Sequence, residues 1–193
     1  LEGLALHKGS VFGGDPGRPQ PSQKRFESLL YDRLITFAPE RPVFVEAESA
    51  KIGKLNLPEP LRQRILMAPV IEIDSPLESR ASFLVNDYRD WLGDDERIRG
   101  TIDRLTGFHA SRTIAEWKEL AALHAWKELV MRLLAEHYDR RYAAGGRGQF
   151  RVPSAVVELP RHDQATVDAV AAEVSRIGDE LSAIPHQSVI ESR

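Results

Sequence analysis

At 193 residues, with 42% hydrophobic and 28% charged residues, the chain has the bulk of one ordinary folded domain with a helical appendage. Its net charge of −3 excludes a protein that coats nucleic acid over its whole surface, but not one with a local basic groove. The absence of cysteine excludes disulfides, thiolate metal sites and a cysteine nucleophile and fits a cytoplasmic protein, and no apolar run approaches the ~20 residues that span a bilayer, so no membrane partner is expected.

Residues 1–6 read as the end of a strand. Residues 7–21 hold four glycines and three prolines and form a loop. Ser22 is an N-cap, and Phe26, Leu29, Leu30 and Leu34 follow at helical spacing. Residues 43–45, apolar and bounded by prolines and acids, suit a buried parallel strand. A short helix over 59–67 follows Pro58, and 69–74 is a second strand. Ser75 as N-cap and Pro76 at the first helical position start a helix that runs to about Trp91. This alternation predicts an α/β domain with a mainly parallel sheet flanked by helices, over 1–93.

Residues 94–144 read as a helical region. One helix covers residues 95 to about 105. In the stretch 111–142, Ile114, Trp117, Leu120 and Ala121 share one face, while Trp126, Leu129, Val130, Leu133 and Leu134 fall on roughly the opposite one. Either the helix breaks near 122–125 or its halves pack on different partners. With no helix breaker in the span, a continuous helix that changes partner is the preferred reading. Residues 145–193 add a late strand at 155–159 and a helix capped by Asp163, which complete the α/β domain.

Carboxylates at strand ends are the first chemical candidates, because open α/β sheets bind ligands beyond the carboxyl ends of their strands. Glu46 and Glu48 follow the 43–45 run, and Asp74 ends the next. Such acids hold magnesium or take a proton; equally, one caps a turn and another pairs with Lys51 or Arg80. Arg80, one turn into its helix and near Ser75 and Ser79, suits phosphate binding or a salt bridge to Glu78 or Asp74. In the 7–14 loop, His7, Lys8 and Ser10 supply donors beside glycines, although Gly-x-x-x-x-Gly-Lys-Ser/Thr occurs nowhere in the chain. Gln20, Ser22 and Gln23 offer amides and backbone N–H groups for an anion or a base edge, or plain capping. Arg140, Arg141, Arg147 and Arg151, interleaved with Tyr138, Tyr142 and Phe150, suit RNA phosphates with aromatic stacking, or a solvated helix end.

Together these stretches resemble tRNA 2-selenouridine synthase. The residues that carry the resemblance are 1–5, 7–13, Gln20-Pro21-Ser22-Gln23, Phe26-Glu27, Val45-Glu46-Ala47-Glu48-Ser49, Ile52-Gly53 and Ala68-Pro69-Val70. Asp74, Pro76, Glu78, Arg80 and His137-Tyr138-Asp139 with Tyr142 follow in order. Lys8 stands where the family pattern has Arg, and Arg140 where it has Pro. The resemblance implies an incomplete P-loop NTPase-like fold, preceded in the parent bacterial enzyme by a rhodanese-like cysteine domain and a Walker A segment. It implies an enzyme that replaces the sulfur of wobble 2-thiouridine in tRNA with selenium. Selenophosphate is the donor, and a geranylated intermediate forms from geranyl diphosphate. On this reading His7, Lys8, Ser10, Gln20, Ser22, Gln23, Ser49 and Arg80 bind substrate or diphosphate. Glu46, Glu48 and Asp74 serve as proton or magnesium partners, and Arg140, Arg141, Arg147 and Arg151 dock tRNA. It implies too that this chain alone does not turn over. A P-loop small-molecule kinase and a non-catalytic RNA-binding module are the competing readings.

Overall fold

The computed structural model describes residues 1–14, 17–47, 50–141 and 152–183. Leu1, Leu4 and Ala5 recur at i, i+3 and i+4, and helix α1 (Glu2–Ala5) forms where a strand end was expected. Its apolar side packs on α2 (Gln23–Leu34), which Ser22 caps by accepting the Arg25 N–H at 3.3 Å. Ala5 and Phe26, with Ile52, Leu55 and Leu57, make one apolar core. Ile52 and Leu55 come from a hairpin, β1 (Lys51–Ile52) and β2 (Leu55–Asn56), paired antiparallel.

The expected strand at 43–45 does not form. Val43, Phe44 and Val45 are 46, 51 and 40% exposed, in irregular backbone. β-branched and aromatic residues favour strands only where a neighbouring strand accepts them, and among the described residues none pairs with this segment. Phe44 instead lays its ring against Gly178, so closely that a methyl there would lie 2.3 Å from it.

Helix α3 (Glu59–Met67) leads to β3 (Ile71–Asp74), which pairs in parallel with β4 (Ala155–Glu158) in the register Ile71 with Ala155 to Asp74 with Glu158. The fold is α/β, mostly helical, with this small parallel sheet. Helix α4 (Leu77–Asp87) starts one residue later than expected: Pro76 occupies the N-cap, and the Ser75 hydroxyl is buried without capping anything. A 3₁₀ turn, Arg89–Trp91, follows it.

Helices α5 (Asp95–Asp103), α6 (Ser111–Ala122) and α7 (Trp126–Leu133) enclose the second core around Trp117, Ile102 and Leu105. The single long helix expected over 111–142 is broken. His124 adopts φ +54°, its N–H reaches the Ala121 carbonyl, and the Ala125 N–H reaches that of Leu120. That pair of bonds is a Schellman termination, with histidine in the left-handed position that glycine usually fills. A π-helical turn, Leu134–Tyr138, then leads into a last turn, α8 (Asp139–Arg141). Helix α9 (Gln164–Ala183) packs on β4, and its Asp163 cap accepts the Thr166 N–H at 2.9 Å as expected.

Candidate functional site

Helix α4 lies against α7, and the 8–12 loop closes over their ends. Between them lies a cavity of about 710 Å³. Its walls are apolar: Leu84 and Val85 from α4, and Leu129, Val130 and Leu133 from α7. Phe12, Tyr88, Trp91 and Trp126 add aromatic surface, with Phe12 edge-on to Trp91 at 5.7 Å. The π turn matters here. One extra residue per turn puts neighbouring side chains on one face, so Leu133 with Leu134, and His137 with Tyr138, all line the cavity.

Three cations reach this apolar space. Lys8 lies 2.5 Å from the Asp87 carboxylate and 4.5 Å over the Tyr88 ring. Arg80 makes a fork with Asp139, at 2.8 and 2.9 Å. Arg141 stands 4.8 Å over the Phe108 ring. The Arg80 Nε is buried and has no partner among the described residues. That leaves one buried donor of a cavity-lining cation available to an anion or a water. Ser10 completes the loop side: its oxygen accepts the Phe12 N–H at 3.1 Å and lies 3.4 Å from the Tyr88 hydroxyl.

Of the two roles read from the sequence for Arg80, the structure shows the salt bridge, with Asp139 as its carboxylate and not Glu78 or Asp74. Glu78 pairs with Lys127 at 2.7 Å. Asp74 is exposed at the end of β3, and its charge helps keep Arg80 protonated. Glu46 is exposed in the irregular segment, not at a strand end. Glu48 and Ser49 lie outside the described residues, as do Arg147 and Arg151. Among the described residues no group of three His, Asp or Glu gathers to hold a metal ion. His7 accepts the Gly9 N–H at 3.1 Å, and burial lowers its pKa; it lines a smaller depression behind the loop. Ser22 is exposed at its cap. Neither Gln20 nor Gln23 lines the cavity. Gln20 donates to the Ala5 and Ile52 carbonyls and accepts the Lys54 N–H at 2.7 Å, and Gln23 bonds both backbone groups of Asn56 at 2.9 Å. Their amides clasp the hairpin. Arg140 is exposed, whereas Arg141 belongs to the cavity.

Sequence reasoning passed over Tyr88, Trp91 and Phe108. The Trp126 to Leu134 stripe, read as a packing face, does pack into the Trp117 core through Leu129 and Leu133, and it lines the cavity as well. The stripe's opposition to the Trp117 face was the available signal.

Residues 1–110 match the family model described as the tRNA 2-selenouridine synthase AAA domain. The chain belongs to that family. Within the tRNA 2-selenouridine synthase AAA domain match fall Lys8, Ser10, Arg80 and the α4 wall, while α7, the π turn and Asp139 lie beyond it. A tRNA 2-selenouridine synthase of Alcanivorax borkumensis is 35% identical over 74% of this chain and 47% of its own length. Those of Nitrosomonas europaea and Shewanella frigidimarina are 36 and 41% identical over 59 and 46% of this chain. The chain spans about half the length, or less, of these curated relatives. No solved structure matches it.

Proposed function

We propose that this chain supplies the prenyl-diphosphate site, and part of the tRNA site, of a transferase that converts wobble 2-thiouridine to 2-selenouridine. The reading takes selenophosphate as the selenium donor and a geranylated thiouridine, made from geranyl diphosphate, as the intermediate. The cysteine chemistry belongs to a rhodanese-like portion, and a Walker A portion supplies further strands beside β3 and β4. The observation that carries the reading is the cavity itself: an apolar, aromatic-walled space lined by Lys8, Arg80 and Arg141, with the Arg80 Nε open.

In this reading the geranyl chain lies along Leu84, Val85, Leu129 and Leu133, and the diphosphate takes the place of the carboxylates now held by Lys8 and Arg80. The thiouridine sulfur attacks C1 of the geranyl group, the carbon–oxygen bond breaks, and the bonding pair leaves with diphosphate onto the cations. The faces of Tyr88, Trp91 and Trp126 favour the positive charge that develops on the allylic carbon. Dry walls keep water from capturing it. Among the described residues no carboxylates gather at the cavity to form a protein-held magnesium site.

Calorimetric titration of geranyl diphosphate into the chain tests this. Lys8→Ala with Arg80→Ala is expected to weaken binding at least tenfold in a variant whose circular dichroism matches the parent's, and to depress geranylation in the intact enzyme. Undiminished binding by the double variant defeats the assignment, and tight ATP binding in its place favours the kinase reading.

A further inference from the structure

The cations of the helical region are mostly engaged. Arg132 is held by Glu116 and Glu136 at 2.7 Å, Lys127 by Glu78, Lys118 by Asp103, and Arg112 by Glu116. The hairpin unit is different. Residues 17–67 carry nine Lys and Arg against six Asp and Glu, a net +3 within a chain of net −3. Lys24 and Arg25, at the start of α2, and Lys54, at the hairpin turn, are exposed, and none forms an ion pair among the described residues.

These three cations are held on a rigid frame. The Gln20 amide fixes the backbone of Lys54, and the Gln23 amide, one residue before Lys24, fixes that of Asn56. Gly53, at φ +60°, sits so tightly that a Cβ would lie 2.3 Å from the Gln20 oxygen and 2.7 Å from the His7 ring. The hairpin's apolar side chains, Ile52, Leu55 and Leu57, are buried beneath it. The hairpin's outward side chains, Lys51, Lys54 and Asn56, are polar or cationic, which suits a phosphodiester backbone, and the exposed apolar residues of α2, Tyr31 and Leu34, lie toward its far end. The His7 ring that backs Gly53 also begins the loop whose residues Lys8 to Phe12 line the cavity, so the cationic hairpin adjoins the cavity's loop wall.

We propose that the hairpin and the start of α2 form an RNA-docking surface, with Lys24, Arg25 and Lys54 contacting the phosphates of a tRNA whose reacting base reaches over the 8–12 loop. The proposal rests on the tRNA reading above and moves the main backbone contacts away from Arg140. Its test is the binding of transcribed tRNA to the full chain, followed by fluorescence anisotropy between 50 and 200 mM salt (about the range over which phosphate contacts are lost). Lys24→Ala, Arg25→Ala and Lys54→Ala together should weaken binding at least tenfold at the low-salt end. They should also make the slope of log affinity against log salt shallower by about two to three. Neutralising Arg89, Arg99 and Arg112 instead changes the net charge equally and is expected to cost less than threefold. An equal loss in both variants, an unchanged affinity in the first, or no tRNA binding by the parent chain overturns the proposal. Geranyl diphosphate titration of the same variants should be unchanged, which separates failure here from failure of the cavity assignment.

Discussion

His137 is 4% exposed, and its Nδ1 lies 2.8 Å from Nε2 of His109. Burial, then the neighbouring imidazole and the Arg141 charge, push its pKa down to about 4. Burial also lowers His109, which stands edge-on to Trp117 and near Glu136, Arg140 and Arg141. Two imidazoles can share one hydrogen bond only if one of them accepts, so at most one can be charged, and burial of both favours the neutral pair. The sign follows. Below the ordinary histidine pKa of 6.5 the unfolded chain takes up a proton that the folded chain refuses, so stability present above pH 6.5 is lost as pH falls toward 4. Urea denaturation of parent and His137→Gln at pH 7 and at pH 4.5 should show the gap between them narrowing at the lower pH, by up to about 3 kcal/mol. A gap independent of pH would mean that His137 is not held neutral by the fold.

Among the elements, two turns were hidden in the sequence for opposite reasons. The β1–β2 hairpin turns at Gly53, a residue whose type announces a turn, yet its strands are two residues each and too short for a periodic pattern. It persists because Gln20 and Gln23, more than thirty residues upstream of their hairpin partners, satisfy its backbone. Gly53→Ala combines a positive φ with a clash against Gln20, and is expected to cost about 1–3 kcal/mol. Hydrogen exchange at the Lys54 and Asn56 amides reports it, since loosening confined elsewhere leaves those two protected. The α6–α7 break is the reverse case: the opposed apolar faces were legible, but the left-handed residue is His124, whose type signals no stop. The π turn is likewise invisible to a 3.6-residue period. By advancing the register one residue it carries His137 and Tyr138 onto the cavity.

At the scale of the molecule, the parallel pair β3–β4 leaves apolar side chains uncovered. Val157 is 8% exposed, but Ile73, beside it in register, is 50% exposed and Val156 60%. Two strands make a marginal sheet, and exposed apolar residues of this kind invite further strands. Ile73→Glu with Val156→Glu should lower hydrophobic-dye fluorescence of the 193-residue chain while changing Tm little; unchanged fluorescence would place the uncovered surface elsewhere. The amino-acid sequence by itself determined the Ser22-capped helix, α3, the two strands that pair in parallel, the Asp163 cap and the family. Each of these rests on caps, periodicity or motifs carried within a few consecutive residues. Only the tertiary structure decided that residues 43–45 stay out of a sheet, that Arg80 takes Asp139 as its carboxylate, and that the Trp126 stripe faces a cavity. The physical reason is that a strand needs a neighbour, and a half-buried charge needs a partner. Here the partners lie far along the chain, 59 residues on in the case of Arg80, where local pattern carries no record of them.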